Sequence, residues 1–110
     1  MPLVTVINLE TDDRFAEIEA AVRTALASMP ELVIKDYEVD LVPVVKPDGF
    51  LGLVTRINVD LWEHPARTKD ALQELATRVA QAFQGVCGAD RKVKVVIRPY
   101  DVRKSGWVSF

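Results

Sequence analysis

The chain has 110 residues, 49% of them apolar, with one cysteine and a formal net charge of -2. That length and apolar content suit one globular domain over residues 1–110 with a modest core, and they exclude a disulfide-stapled scaffold or a bilayer-spanning segment. The small acidic balance, with no basic tract, argues against nucleic-acid and membrane partners, and without a leader-like segment the expected location is cytoplasmic.

Residues 3–9 read as a strand, after which Phe15, Ile18, Val22, Leu26 and Met29 recur at helical spacing. Asp12 or Asp13 is placed to cap that helix and Pro30 to end it. A second strand passes through Tyr37, Val39, Leu41 and Val45 to the turn signal Lys46-Pro47-Asp48-Gly49. The pattern then restarts. Residues 53–61 are strand-like, Pro65 suits the first turn of a helix, and Leu72, Leu75, Ala76, Val79 and Phe83 supply its apolar face before Gly85 and Gly88 stop it. A last strand runs from Lys92 to about Arg98, with Pro99 at its end because proline has no amide proton for a ladder.

Strand-helix-strand order thus occurs twice, over approximately residues 2–45 and 53–99. The expectation is an α+β fold: two right-handed β-α-β units forming a four-stranded mixed sheet, with two helices on one face. On the first strand Val4 and Val6 alternate with Leu3, Ile7 and Leu9, so both faces are apolar and the helices leave one of them needing a cover. Self-association follows as an expectation, although Arg56, Asn58, Asp60, Lys94 and Arg98 make parts of the sheet polar.

Pro2 is the residue with the most chemistry to offer. Once an initiator methionine is removed, the first strand begins with a secondary amine, a candidate catalytic base; with Met1 retained, the same nitrogen is a tertiary amide with no proton to give. Such an amine is normally protonated near neutral pH, so a base needs an apolar or cationic pocket to lower its pKa, and the same cations would hold a substrate carboxylate or enolate. The alternative is an ordinary strand-initiating proline.

Three features carry a resemblance: the run Pro2-Leu3-Val4-Thr5-Val6-Ile7-Asn8-Leu9-Glu10, the doubled β-α-β order, and Val95-Val96-Ile97-Arg98-Pro99-Tyr100-Asp101 followed by Gly106-Trp107. Together they resemble the tautomerase superfamily, its longer members of the macrophage migration inhibitory factor type or a related uncharacterised bacterial branch. The resemblance implies a homotrimer whose amino-terminal proline, here Pro2, shuttles a proton in keto-enol tautomerisation or related chemistry of 2-oxo acids. By the same comparison Arg98 falls where the family has a polar active-site asparagine, and Lys35 lies near its substrate-binding lysine. Asp12 occupies the approximate place of a carboxylate-binding arginine, with Arg14 close by, and Val96 replaces an active-site tyrosine. Arg56 is an alternative anion contact or an internal partner of Asp60.

The functional expectation is a tautomerase or isomerase moving a proton in a small 2-oxo or enol-containing carboxylate, with Pro2 catalytic and Arg98, Lys35, Arg14 and Arg56 binding the substrate. It needs no metal and no organic cofactor, since an amine base with cationic oxyanion stabilisation supplies the chemistry. The alternative is a non-catalytic homo-oligomeric structural or small-molecule-binding protein. A remoter one is an interaction module using Trp62, Trp107 and the basic second half. His64 and Cys87 read as structural, because neither has a partner at ligand or redox spacing.

Overall fold

The computed structural model of the protein describes residues 2–52 and 54–110. Its elements run β1 (Leu3–Leu9), α1 (Phe15–Leu26), β2 (Asp40–Val45), β3 (Thr55–Trp62), α2 (Lys69–Cys87) and β4 (Val93–Tyr100), with short 3-10 turns at Pro30–Leu32, Asp36–Glu38 and Val102–Lys104. β1 pairs in parallel with β2 and antiparallel with β3, and β3 pairs in parallel with β4, giving the order β2-β1-β3-β4. The chain therefore adopts the α+β arrangement read from its periodicity, a mixed four-stranded sheet with two helices.

Alternation decides which face the helices take. Val4, Val6, Ile57 and Val59 are fully buried and pack in one cluster with Ile18, Val22 and Leu26 of α1 and Leu75, Val79 and Phe83 of α2. Each such side chain contributes roughly 1.5–3 kcal/mol on leaving water. The residues between them in sequence form the other face. There Leu3, Val42 and Val44 keep 39%, 45% and 41% of their surface exposed, so the open face is a partly apolar surface that the two helices leave uncovered.

Several element ends differ from the sequence reading. Neither Asp12 nor Asp13 caps α1: the capping position is Arg14, with no side-chain cap, because the Asp13 carboxylate accepts from the Glu10 amide (2.7 Å) and from Arg91. α1 ends at Leu26, and Pro30 opens a 3-10 turn beyond it. Tyr37, expected in a strand, sits in the Asp36–Glu38 turn with 79% of its surface exposed. Pro65 precedes α2, whose cap is Thr68, its hydroxyl accepting from the Ala71 amide at 3.2 Å. Gly85 lies inside α2, and Gly88 ends it with φ 109°, a conformation glycine adopts without a Cβ clash. β4 runs on through Pro99, tolerated because β4 is an edge strand, as is β2 with Pro43. The register of β1 against β2 shifts between Ile7 and Leu9, at the left-handed Asn8. The start of the expected second unit, residue 53, and Met1 lie outside the described residues.

Candidate functional site at the amino-terminal end of β1

Pairing lays Asp40, Leu3, Asp60 and Arg98 side by side across the sheet, all on the open face. Arg98 forks onto Asp60, Nε to Oδ1 at 2.7 Å and Nη2 to Oδ2 at 3.0 Å, and the Tyr100 hydroxyl donates to the same Oδ1 at 3.2 Å. That carboxylate holds the Arg98 guanidinium above its ordinary pKa. A cavity of about 730 Å³ opens against this cluster, walled by Leu3, Asp60, Trp62, Tyr100, Trp107 and Val108. Trp107 folds back from the C-terminal segment, its ring centroid 6.4 Å from that of Trp62 at 46°.

Pro2 stands one residue before Leu3. It is buried, and its carbonyl accepts from the Asp40 amide at 3.0 Å, which continues the β1–β2 pairing past the end of the strand. Alternation puts its ring on the helix-covered side with Val4 and Val6, and Arg98 on the opposite side with Leu3. Within one chain the sheet thus stands between the Pro2 ring and the Arg98 guanidinium.

The other candidate cations are dispersed. Arg14 pairs with Glu17 at 2.8 Å and donates to the Val86 carbonyl at the end of α2. Arg56 donates to Asn58 Oδ1 at 3.0 Å and shares a rung with Ile7, ~13 Å along the strand from Leu3. Both belong to the far end of β1. Lys35 is exposed on the segment leading into β2, where it borders a hollow of about 380 Å³ with Ala27, Pro30 and Ile34.

The sequence reading passed over Arg67, which is anchored at the exit of β3. Its Nη1 donates to the Trp62 carbonyl at 2.6 Å and its Nε to the Leu32 carbonyl at 3.1 Å. Thr55 and Glu63 donate to the β4-side carbonyls of Lys92 and Tyr100, so odd residues of β3 turn their backbone groups to β4 and even ones to β1. The Trp62 carbonyl therefore faces the β1 side of β3, two residues beyond Asp60, and the Arg67 guanidinium donates to it. Burial pulls Arg67 below the ordinary arginine pKa, while the charge of Glu38 opposes that shift. Two hollows of about 460 and 430 Å³ meet at Arg67 and Pro99. The only sequence signal was its place just before the Thr68 cap.

At the far end, Arg91 forks onto Asp13 with both bonds at 2.9 Å, donates to Thr55 Oγ1 at 3.2 Å and lies 5.5 Å from the centre of the Phe83 ring. The hydrogen bond from Arg91 keeps the Asp13 carboxyl below its ordinary pKa against the opposing effect of burial. Burial, with Asp13, raises the Cys87 thiol, leaving it a poor thiolate.

The sequence matches no protein-family model and no curated protein. The structure does have matches. A wild-type asymmetric trimer of fused 4-OT superposes with a TM-score of 0.77 at 16% identity, over 96% of this chain and 91% of that one. A 5-carboxymethyl-2-hydroxymuconate delta-isomerase gives 0.73 at 10% identity over 100% and 88%. FG41 malonate semialdehyde decarboxylase, solved inhibited by 3-bromopropiolate, gives 0.70 at 17% over 97% and 89%. At these identities the likeness concerns the fold alone, with β1 and Pro2 at the head of the first β-α-β unit.

Proposed function

We propose that the protein is a cofactor-independent isomerase of the tautomerase type, acting on a small 2-oxo or enol-containing carboxylate, with the Pro2 amine as the proton carrier once Met1 is removed. The observation that carries the proposal is Arg67, anchored by the Leu32 and Trp62 carbonyls at the end of β3, two residues past Asp60, the partner of Leu3. A guanidinium beside the amine favours its unprotonated form and offers a planar fork to a carboxylate or enolate. Burial of Pro2 acts in the same direction by disfavouring the charged amine. In the forward step Pro2 takes a proton from the carbon next to the oxo group, electron density moves onto oxygen as an enolate, and the ammonium then returns the proton to a different atom. Arg98 and Lys35 would join such a site from a neighbouring copy in a homotrimer, because in one chain Arg98 lies across the sheet from the Pro2 ring. The uncovered face with Leu3, Val42 and Val44 supports that assembly, and a cytoplasmic setting suits a small metabolic isomerase.

A second reading, a homo-oligomeric protein that binds small molecules without proton transfer, is favoured by one fact: Arg98 and Arg14 already have carboxylate partners in their own chain. Intact mass comes first, since retained Met1 removes the basic amine. For chain beginning at Pro2, ketonisation of enolised 2-oxo acids should be lost in Pro2→Gly. In Arg67→Met, kcat/KM should fall by about 30- to 100-fold, the value of one charge-assisted substrate contact, while Arg14→Met should match the wild type. Equal rates for wild type and Pro2→Gly across a panel of such acids would defeat the proposal for those substrates.

A further inference from the structure

The hollow of about 430 Å³ beside Arg67 runs between α2 and β4. Leu72 and Ala76, one helical turn apart on α2, line it with Val95, Ile97 and Pro99 of β4, and Ala76 carries nothing beyond its Cβ to fill the space. Val95 and Ile97 pair with the buried Ile57 and Val59, so this trough is on the helix-covered side of the sheet, away from the open face with Leu3, Val42 and Val44. Its charged walls are cations only. Among the described residues Arg67 and Lys69 are the charged side chains that line it, no carboxylate does, and Gln73 is the neutral polar one. Arg67 forms no ion pair among those residues, and Glu38 acts on it without a hydrogen bond. It donates to the neutral carbonyls of Leu32 and Trp62, which leaves guanidinium N–H groups for a ligand. The adjoining hollow, by contrast, is lined by both signs, Glu63 and Asp101 with Arg103.

α2 joins two parallel strands and so returns antiparallel to β4, which sets Lys69 at the Pro99 end of the trough and Ala76 at the Val95 end. The cations therefore stand at one end, and the walls turn apolar along about 10 Å of helix from Lys69 to Ala76. Lys69, Gln73 and Pro99 are exposed, so the trough is open on one side. We propose that it binds a small monocarboxylate with an unbranched apolar chain, its carboxylate at Arg67 and Lys69 and its chain along Leu72, Ala76, Val95 and Ile97. A second charge on the ligand would enter apolar walls without a partner, and a neutral ligand would leave Arg67 without an anion. The inference deepens the isomerase reading by giving the substrate an apolar chain; it rests on Arg67 as the carboxylate contact and not on the chemistry of Pro2.

Calorimetric titration of the full chain with butanoate, hexanoate and octanoate tests the site directly. Affinity should rise about twofold for each added methylene, since one buried on all sides gives about fourfold and the trough is open on one side. Octan-1-ol, the same chain without the charge, should bind at least about tenfold more weakly than octanoate, and hexanedioate more weakly than hexanoate. In Ala76→Leu, which fills the trough at a half-buried position, the dependence on chain length should flatten while butanoate still binds. In Arg67→Met every acid should weaken by at least about tenfold with the dependence retained. Affinity independent of chain length, octan-1-ol binding as tightly as octanoate, or an unaltered series in Ala76→Leu would overturn the proposal. The isomerase reading fails separately. A rising series with no turnover of enolised 2-oxooctanoate by chain beginning at Pro2 keeps this site and removes that reaction, whereas turnover of short 2-oxo acids with a flat series does the reverse.

Discussion

Asp13→Ala tests whether the far end of the sheet is held by a buried ion pair. The Asp13 side chain is 9% exposed and that of Arg91 23%. The carboxylate ties three segments together: the turn after β1 through the Glu10 amide, the turn before β4 through Arg91, and, through Arg91, the start of β3 at Thr55. Removing one partner of a buried pair costs about 3–5 kcal/mol, because the other charge is left without compensation. Arg91 keeps some contact with water, the Thr55 hydroxyl and the Phe83 ring, which places the expected loss at the low end, about 3 kcal/mol. For a chain of this length that lowers Tm by about 12 °C. Urea unfolding at fixed protein concentration measures it, and the cycle with Arg91→Met and the double variant isolates a coupling of about 1.5 kcal/mol or more. A loss under about 0.5 kcal/mol, or additivity of the two single variants, would refute the reasoning.

The same pair sets an acid limit. Arg91 holds the folded-state Asp13 pKa below its ordinary value, so the folded chain binds that proton less readily than the unfolded one. The resulting stability is complete above the unfolded value of about 3.9 and is lost as pH falls through the lower folded value. The gap in stability between wild type and Asp13→Ala should therefore be flat from about pH 5 to 8 and narrow below about pH 4. A gap that widens on acidification contradicts the assignment.

Thr68→Ala removes the hydroxyl that accepts from the Ala71 amide and should cost about 1 kcal/mol in urea unfolding, with Thr68→Ser restoring most of it. Val33 holds a left-handed conformation, φ 56°, with half its surface exposed, a state that costs a β-branched residue about 1–2 kcal/mol. Val33→Asn should thus stabilise by about 1 kcal/mol, and a lower denaturation midpoint would count against that backbone geometry. Sedimentation equilibrium should return three times the 12.3 kDa chain mass, and a strict monomer across micromolar concentrations would leave the open face unexplained.

Periodicity made the elements legible because each helix and strand buries one regular face: Ile18, Val22 and Leu26, or Val4 and Val6, announce their environment by spacing alone. What escaped the sequence was every end or site decided by a residue far along the chain. Asp13 looks like a helix cap until Arg91, distant in sequence, claims its carboxylate. Arg98 looks like a free anion contact until the register sets Asp60 beside it. Tyr37 alternates correctly for a strand, yet Asp40 is the first residue of β2 to meet β1.

Arg67 shows the same limit at the site itself, and topology supplies the missing step. Arg14 and Arg67 each follow the first strand of their own β-α-β unit, Arg14 as the capping residue of α1 and Arg67 just ahead of the cap of α2. Arg14 is the nearer to Pro2 in sequence and so invites the choice. β1 spans seven residues, however, and at about 3.3 Å per residue it carries whatever follows it roughly 20 Å away from Pro2. β3 runs antiparallel to β1, so its exit returns to the end where β1 begins. The arginine that follows β3 is therefore delivered to the end of the sheet where β1 begins, and the one that follows β1 to the far end with Val86 and the Asp13–Arg91 pair. Two β-α-β units joined in one mixed sheet through an antiparallel central pair must exchange their strand exits in this way, so each unit's entrance is furnished by the other unit's loop.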